Sequence, residues 1–215
     1  LDDGEKQYFQ EVAGKLQDKT LENLWMPHES FFAIGLDRDE SGETRQIATL
    51  TSNAIAVLDS QLLLDLDEER RLYYVEPIVY AVMSPQFLTE AGIRTRALRH
   101  SGLIDIADYH GSKVSWPKET SDIARGLRRH GYEEQAKELE DRLLRLVARS
   151  GECYEFYYVD EDGQVKYHYR NENPEEPQFH DLGAANLPEP CHVWTLSAVI
   201  RLALQETTPP VDKNV

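Results

Sequence analysis

The sequence predicts a mainly α-helical domain built of antiparallel helical hairpins, with two small β-hairpins inserted among the helices. Three observations lead to this prediction. Apolar residues recur at helical spacing through most of the chain. Two helical stretches are separated only by the turn at Gly131, which makes them antiparallel neighbours. Strand-like segments joined by a polar, glycine-containing turn occur in just two places.

The composition is that of a globular protein and excludes some partners. The chain has 215 residues, of which 40% are hydrophobic and 29% charged, so it suits one domain or a large piece of a bigger one. It carries 23 Lys and Arg against 39 Asp and Glu, a formal net charge of -16. Nucleic acid and anionic membrane surfaces both require a basic face, so neither is expected as a partner.

The compartment and the cofactors are predicted from features that the sequence lacks. No apolar run is long enough to span a bilayer, and the acidic start at residues 1–5 does not resemble a signal peptide, so we expect a cytoplasmic protein. Cys153 and Cys191 provide neither a disulfide framework nor the spacing of a metal site. We therefore expect two reduced thiols, no metal and no other cofactor.

Apolar spacing and turn residues place the elements of the first half. The expected elements are a helix at 4–24, a hairpin with strands at 31–36 and 44–47, and helices at 53–66 and 68–83. The segment 53–66 is so apolar that we expect a helix packed on two sides. Pro77 should kink the helix at 68–83 or mark its true start.

The second half is bounded by clearer start and stop signals. The expected elements are helices at 118–130 and 132–149, a hairpin with strands at 152–159 and 165–169, a helix at 191–205 and a frayed polar tail at 206–215. Pro117 suits a helix start, and Gly151 suits a helix end. Residues 171–190 form a long acidic loop, and loops of that length are usually functional or disordered.

The loop before the helix at 118–130 is the strongest candidate for a binding site. It brings together aromatic, cationic and acidic side chains, namely Tyr109, His110, Lys113, Trp116 and Glu119. Such a mixture is typical of a sugar site, because an aromatic face suits the C–H face of a pyranose. The same residues would also suit an ordinary helix start, and Trp116 would serve equally well as a core aromatic. Trp194, inside the last helix, is expected in the core.

Four segments together resemble one family of glycoside hydrolases. The segment Tyr109-His110-Gly111-Ser112-Lys113-Val114-Ser115-Trp116-Pro117 resembles the Tyr-His-x-Gly-Ser-Val-Trp-Pro motif of the amylo-α-1,6-glucosidase domain of glycogen-debranching enzymes. Ser52-Asn53, Gly92-Ile93-Arg94-Thr95 and the closing segments at 155–160, 186–190 and 194–198 are similar to further motifs of that family, in the same order. The resemblance implies an (α/α)6 toroid of six helical hairpins. This chain supplies about half of the helices, so residues 1–215 are interpreted as one domain that is the C-terminal half of a larger toroid.

The resemblance also implies inverting hydrolysis of an α-glucosidic bond by two carboxyl groups about 6.5–9.5 Å apart. Glu155 matches the family's general base, although Tyr154 replaces the preceding proline of the motif. The family's general acid belongs to the first half of the toroid, so it is expected outside this chain. Without the resemblance, Glu155 is equally well interpreted as a solvent-facing residue at a strand edge.

The substrate and the partners follow from the same resemblance. Tyr109 and Trp116 are candidate stacking platforms, and His110 is a candidate donor to a sugar hydroxyl. Lys113 and Arg94 are candidates for binding hydroxyls or a carboxylate such as that of glycerate, and Glu119 is a weaker candidate because acids favour any first helical turn. The expected substrate is an α-glucan or a small glucoside, and the expected protein partner is the missing N-terminal half or a second copy. The alternative is a non-catalytic helical module that binds carbohydrate or serves in assembly.

Overall fold

The computed structural model describes residues 2–101, 111–166 and 188–207 of the chain. The helices in these ranges are α1 (Asp3–Leu24), α2 (Ser52–Ile55), α3 (Gln61–Leu64), α4 (Glu68–Val82), α5 (Pro117–Arg129), α6 (Glu133–Ser150) and α7 (Val193–Thr207). Short 3-10 helices lie at Ala56–Asp59 and Leu98–His100. The prediction of a mainly helical fold with small antiparallel hairpins is confirmed.

The strands form four small antiparallel sheets within these ranges. They are β1 (Trp25–Met26), β2 (Phe31–Phe32), β3 (Gly35–Arg38), β4 (Thr44–Ile47), β5 (Leu88–Thr89), β6 (Gly92–Ile93), β7 (Val114–Ser115), β8 (Tyr157–Val159) and β9 (Val165–Lys166). The sheets pair β1 with β2, β3 with β4, and β5 with β6, and the fourth has the order β7-β8-β9.

Local signals set the ends of the long helices. The Asp2 side chain accepts a hydrogen bond from the Glu5 amide, which caps α1. Pro117 is the first residue of α5, and Gly151 ends α6 in the left-handed region at φ 70°. The helices expected at 118–130 and 132–149 are therefore present within one or two residues.

The apolar segment 53–66 is not the single helix that the sequence predicts. It forms α2, a 3-10 turn and α3, with Ser60 in an extended conformation between the last two. The reason lies in α5, which approaches so closely that a Cβ added at Gly126 would lie 2.8 Å from the Leu58 carbonyl carbon. His130 Nε2 lies 3.0 Å from the Leu58 carbonyl oxygen, so this neighbouring helix takes over carbonyls of the turn.

Three further predictions are corrected by the packing. Phe31 and Phe32 pair with Trp25 and Met26 instead of β4, and all four side chains are buried. Pro77 lies inside α4, which runs from Glu68 to Val82, so it does not mark the start of this helix. The last helix continues to Thr207, so residues 206–207 are helical, and the rest of the expected tail lies outside the described residues.

The sheet β7-β8-β9 positions the candidate site. The hairpin of β8 and β9 confirms the second predicted hairpin, and β7 adds a strand that the sequence did not predict. The register pairs Val114 with Tyr158 and Ser115 with Tyr157. This register places the next residue, Trp116, across from Phe156, beside Glu155.

Two helices leave apolar faces exposed. On α1 these residues are Tyr8, Phe9, Val12 and Leu16, and on α7 they are Val193, Trp194, Leu196, Ile200 and Leu204. The opposite side of α7 packs through Ala198 and Leu202 against Leu143 of α6. Within the described ranges, none of the helices combines the length and the apolar character that crossing a membrane requires.

Candidate active site

Glu155 lies at a bend of the chain two residues before β8. Its backbone N–H donates to the Glu189 carbonyl oxygen over 3.0 Å, so residues 188–190 run beside it. The carboxylate is partly buried, with 18% of the side chain exposed, and its Oε1 lies 3.8 Å from His192 Nε2. A carboxylate in this position is reachable by water and is also held close to an imidazole.

His192 is fixed by contacts on both sides. Its backbone N–H donates to the Cys153 carbonyl oxygen over 2.8 Å, and its imidazole ring packs edge to face against the Trp194 ring at 5.0 Å. The side chain is 13% exposed, and within the described ranges its buried Nδ1 has no hydrogen-bond partner. The ring is therefore held with Nε2 towards Glu155.

Glu155, Glu189 and His192 form one compact group. A ligand atom from each lies within 4.8 Å of those of the other two. Two carboxylates and an imidazole are ligands that divalent metals accept, so these three residues are the ones among the described residues that could hold a cation. The short distance between Glu189 and Glu155 also bears on whether the two carboxyl groups could act as an acid–base pair in hydrolysis.

An aromatic wall stands next to Glu155. The Trp116 ring lies 5.7 Å from that of Phe156 and 6.3 Å from that of Trp194. Trp116 is buried, whereas Trp194 is 48% exposed although the sequence predicted it in the core. The exposed indole of Trp194, backed by Trp116, is thus the surface on which a sugar ring could stack beside Glu155.

Arg94 joins two loops at the far end of the sheet. Its side chain is only 1% exposed, and Nη1 and Nη2 donate to the carbonyl oxygens of Ser112 and Glu161 over 2.8 and 3.3 Å. Burial lowers the pKa of this guanidinium, while the charges of Asp160 and Glu161 oppose that effect. These contacts give Arg94 a structural role, and contact with substrate stays a prediction.

Lys113 is exposed at the same end of the sheet. Its carbonyl oxygen accepts from the Val159 amide, and its Nζ lies 3.9 Å from Glu161 Oε1. Val159 is four residues beyond Glu155, which corresponds to about 13 Å along an extended chain. Lys113 is therefore placed away from the carboxylate of Glu155.

Glu119 lies where three of the resemblance motifs meet. Its carboxylate accepts a hydrogen bond from the Ser52 hydroxyl, and the Ser52 amide donates to the Thr95 carbonyl oxygen over 2.8 Å. The Thr95 amide in turn donates to the Val114 carbonyl oxygen over 2.8 Å. The motifs at 52–53, 92–95 and 109–117 therefore converge into one hydrogen-bonded junction.

The structure therefore connects Trp116 to Glu155 through Trp194 and His192, and it places Lys113 and Arg94 elsewhere. Tyr109 and His110 lie outside the described residues. Sequence reasoning missed Glu189 and His192 because their position depends on a pairing between segments far apart in the chain. The exposed position of Trp194 could have been inferred from its place in the first turn of a helix, close to the loop that precedes this helix.

Comparisons with known proteins show the family of the chain and a protein of similar fold. A family model described as the mannosylglycerate hydrolase MGH1-like glycoside hydrolase domain matches residues 1–175, which include Trp116 and Glu155. Among solved structures, the chain is similar to neutral trehalase Nth1 from Saccharomyces cerevisiae, with a TM-score of 0.54 and 19% identity. That alignment covers 94% of this chain and 35% of the trehalase chain, so it shows a shared fold over about a third of the trehalase. No curated protein matches the sequence.

Proposed function

Because the chain belongs to the family of MGH1-like glycoside hydrolase domains, we propose that Glu155 is the general base of an inverting α-glycosidase. In this role its carboxylate takes a proton from the water that attacks the anomeric carbon. The observation that carries the proposal is a partly buried carboxylate 3.8 Å from an imidazole, whose ring in turn packs edge to face against an exposed indole. His192 Nε2 lies near one carboxylate oxygen, and the proposal assigns the proton transfer to this carboxylate.

The general acid is proposed to lie outside this chain. Glu189 has a ligand atom within 4.8 Å of that of Glu155, whereas an inverting pair stands about 6.5–9.5 Å apart to admit the water. Glu189 is therefore too close to serve as the proton donor of such a pair. The resemblance to the debranching enzymes, whose acid comes from the other half of the toroid, supports the same assignment.

The chain is proposed to form the C-terminal half of an (α/α)6 toroid. The exposed apolar faces of α1 and α7 support this, since contiguous apolar surface on a helix normally packs against a neighbour. The structural likeness to about a third of the trehalase chain also fits a part of a larger domain. The proposed cytoplasmic location still depends on the sequence argument alone.

The proposed substrate is a neutral α-glucoside. Arg94 is occupied by two carbonyl oxygens and Lys113 lies at the far end of the sheet, so these two cations are not positioned beside Glu155 to bind a substrate carboxylate. The chain's net charge of -16 also disfavours an anionic ligand. Trehalose and short α-glucans are therefore favoured over mannosylglycerate as substrates. Hydrolysis of α-1,6 branches, the debranching activity, is measured in the same experiment.

The test is the Glu155→Gln variant of the complete reading frame from which this chain derives. We expect kcat to fall by about 10²–10⁴-fold, the range for loss of a general base, on whichever of trehalose, mannosylglycerate and an α-1,6-branched glucan the parent hydrolyses. Glu161→Gln is the matched control, because Glu161 is exposed on the β8–β9 turn. Near-normal hydrolysis by a folded Glu155→Gln enzyme would contradict the proposal and favour the non-catalytic module.

A further inference from the structure

The two cysteines of the chain flank the candidate site. Cys153 and Cys191 are the only cysteines among the 215 residues. Cys153 lies two residues before Glu155, and Cys191 directly precedes His192. Cys153 is partly buried and Cys191 is exposed, and both are free thiols.

Backbone hydrogen bonds bring the two cysteines to the same place. The Glu155 amide donates to the Glu189 carbonyl oxygen over 3.0 Å, and the His192 amide donates to the Cys153 carbonyl oxygen over 2.8 Å. Residues 153–155 of one segment therefore lie beside residues 189–192 of the other. Cys191 is the residue with left-handed backbone in the longer segment, at φ 55°.

This pairing sets an upper limit on the separation of the cysteines. With the 2.8 Å hydrogen bond, standard backbone dimensions keep the two α-carbons within about 7.6 Å of each other. Natural disulfides join α-carbons that are about 4.4–6.8 Å apart. The range of natural disulfides lies within this upper limit, so the hydrogen bond holds the two backbones at a separation compatible with a disulfide.

The two thiols differ in their exposure to solvent. The Cys191 thiol donates to Glu152 Oε2 over 3.6 Å and faces solvent. Cys191 is thus the thiol that a small reagent can reach first. Cys153 is the nearby thiol that can then attack a mixed disulfide at Cys191.

We propose that Cys153 and Cys191 form a redox modification site that closes into an intramolecular disulfide beside Glu155. The oxidant is a low-molecular-weight disulfide such as oxidised glutathione. The Cys191 thiolate attacks one of its sulfurs, which forms a mixed disulfide and releases one glutathione thiolate. The Cys153 thiolate then attacks the Cys191 sulfur and releases the second glutathione. The protein loses two protons and two electrons, and the oxidant becomes two thiols.

The consequence for activity rests on the proposed function of Glu155. Forming the disulfide turns the Cys191 sulfur from Glu152 towards Cys153, and the next residue along the chain is His192. The 3.8 Å contact between His192 Nε2 and Glu155 Oε1 therefore changes when the disulfide closes. We expect the oxidised enzyme to hydrolyse substrate several-fold more slowly than the reduced enzyme.

The chemical step is tested on this chain without any activity assay. The folded chain is incubated with equal concentrations of oxidised and reduced glutathione, free thiols are blocked with iodoacetamide, and the intact mass and linked peptides are measured. We expect most chains to lack two hydrogens and to carry neither label, with a peptide link between positions 153 and 191. In Cys153→Ser, Cys191 should instead retain glutathione. Glutathione on both cysteines of the unaltered chain, or two thiols that stay alkylatable, would overturn the proposal.

The regulatory step is tested on the complete enzyme. Oxidation should lower kcat several-fold, dithiothreitol should restore it, and Cys153→Ser should keep the basal rate and lose the sensitivity. A disulfide that forms without changing kcat would overturn the regulatory part. An enzyme that is inactive in every state would count against the proposed function and would leave the mass result standing.

Discussion

At the scale of single residues, the site depends on one carboxylate and on the groups that hold it. Trp116 and Glu155 could be predicted from the sequence because each belongs to a recognisable motif. Glu189 lies in the motif segment 186–190, but its closeness to Glu155, like that of His192, could not be predicted, since it depends on the hydrogen bonds of residues 155 and 153 to residues 189 and 192. No local period or spacing encodes a pairing of that kind, and the left-handed backbone at Cys191 that allows it is rare for a residue other than glycine.

The contact of His192 with Glu155 leads to a prediction about catalysis. His192 Nε2 lies 3.8 Å from Glu155 Oε1, and a charge contact of this length is worth about 0.2–1 kcal/mol, so His192→Phe should lower kcat/KM by about 1.4- to 5-fold in the complete enzyme. Phenylalanine keeps a ring against Trp194 and removes the nitrogen donor. The pH profile of kcat/KM separates the two roles, because loss of packing alone leaves its shape unchanged. An unaltered rate and profile would show that His192 only fills space.

At the scale of helices and strands, the correct and the wrong sequence-based predictions have distinct physical causes. The bounds of α5 and α6 were predictable because Pro117 and Gly151 act within their own helices. The break in the segment 53–66 could not be predicted from the sequence, because it depends on the close approach of α5 at Gly126. Strand β7 was missed for a similar reason, since Val114 and Ser115 become a strand only through their partners Tyr158 and Tyr157.

The close approach of α5 makes Gly126 a test of the fold. A Cβ at this position would lie 2.7 Å from Leu58 Cβ and 2.8 Å from the Asp59 amide nitrogen. Gly126→Ala should therefore lower the free energy of unfolding by about 1–3 kcal/mol, the cost of overpacking. Gly14→Ala is the matched control, because nothing lies within 4 Å of a Cβ there and the change should stabilise α1 by about 0.5–1 kcal/mol. Urea unfolding followed by circular dichroism measures both, and equal effects would contradict the packing.

At the scale of the whole molecule, partly buried histidines make stability depend on pH. Burial lowers the pKa of His130 below its ordinary 6.5, and the charges of Arg71 and Arg129 lower it further, while its bond to Leu58 opposes them. His100 is affected in the same direction, mainly by burial. As the pH falls below the unfolded value, the unfolded chain takes up protons that the folded chain does not. The free energy of unfolding should therefore fall with pH until the folded pKa is reached.

A variant separates His130 from the other titrating groups. His130→Gln keeps an N–H that can donate to the Leu58 carbonyl and removes the titration. Its urea midpoint should change less between about pH 7 and 5 than that of the unaltered chain. Identical slopes in the two proteins would show that His130 is not held neutral in the fold.

The exposed faces of α1 and α7 lead to a prediction about assembly. Ile200 on α7 and Leu16 on α1 are exposed in this chain, and we propose that the rest of the toroid covers them. The isolated chain should self-associate in light scattering, and Ile200→Lys should make it more monomeric. In the complete domain the same change should destabilise by about 1.5–3 kcal/mol, the value of burying such a side chain. Glu69→Lys on α4 is the control for added charge, and a monomeric unaltered chain would contradict the proposal.

The most direct test of the central claim is a crystal structure of the complete enzyme carrying Glu155→Gln with its α-glucoside substrate bound. The account predicts a sugar ring stacked on Trp194, with a water molecule between the side chain at position 155 and the anomeric carbon. It also predicts a second carboxyl group, contributed from outside this chain, on the opposite face of the sugar. A substrate bound away from position 155, or an anomeric carbon with no path for water from that side chain, would contradict it.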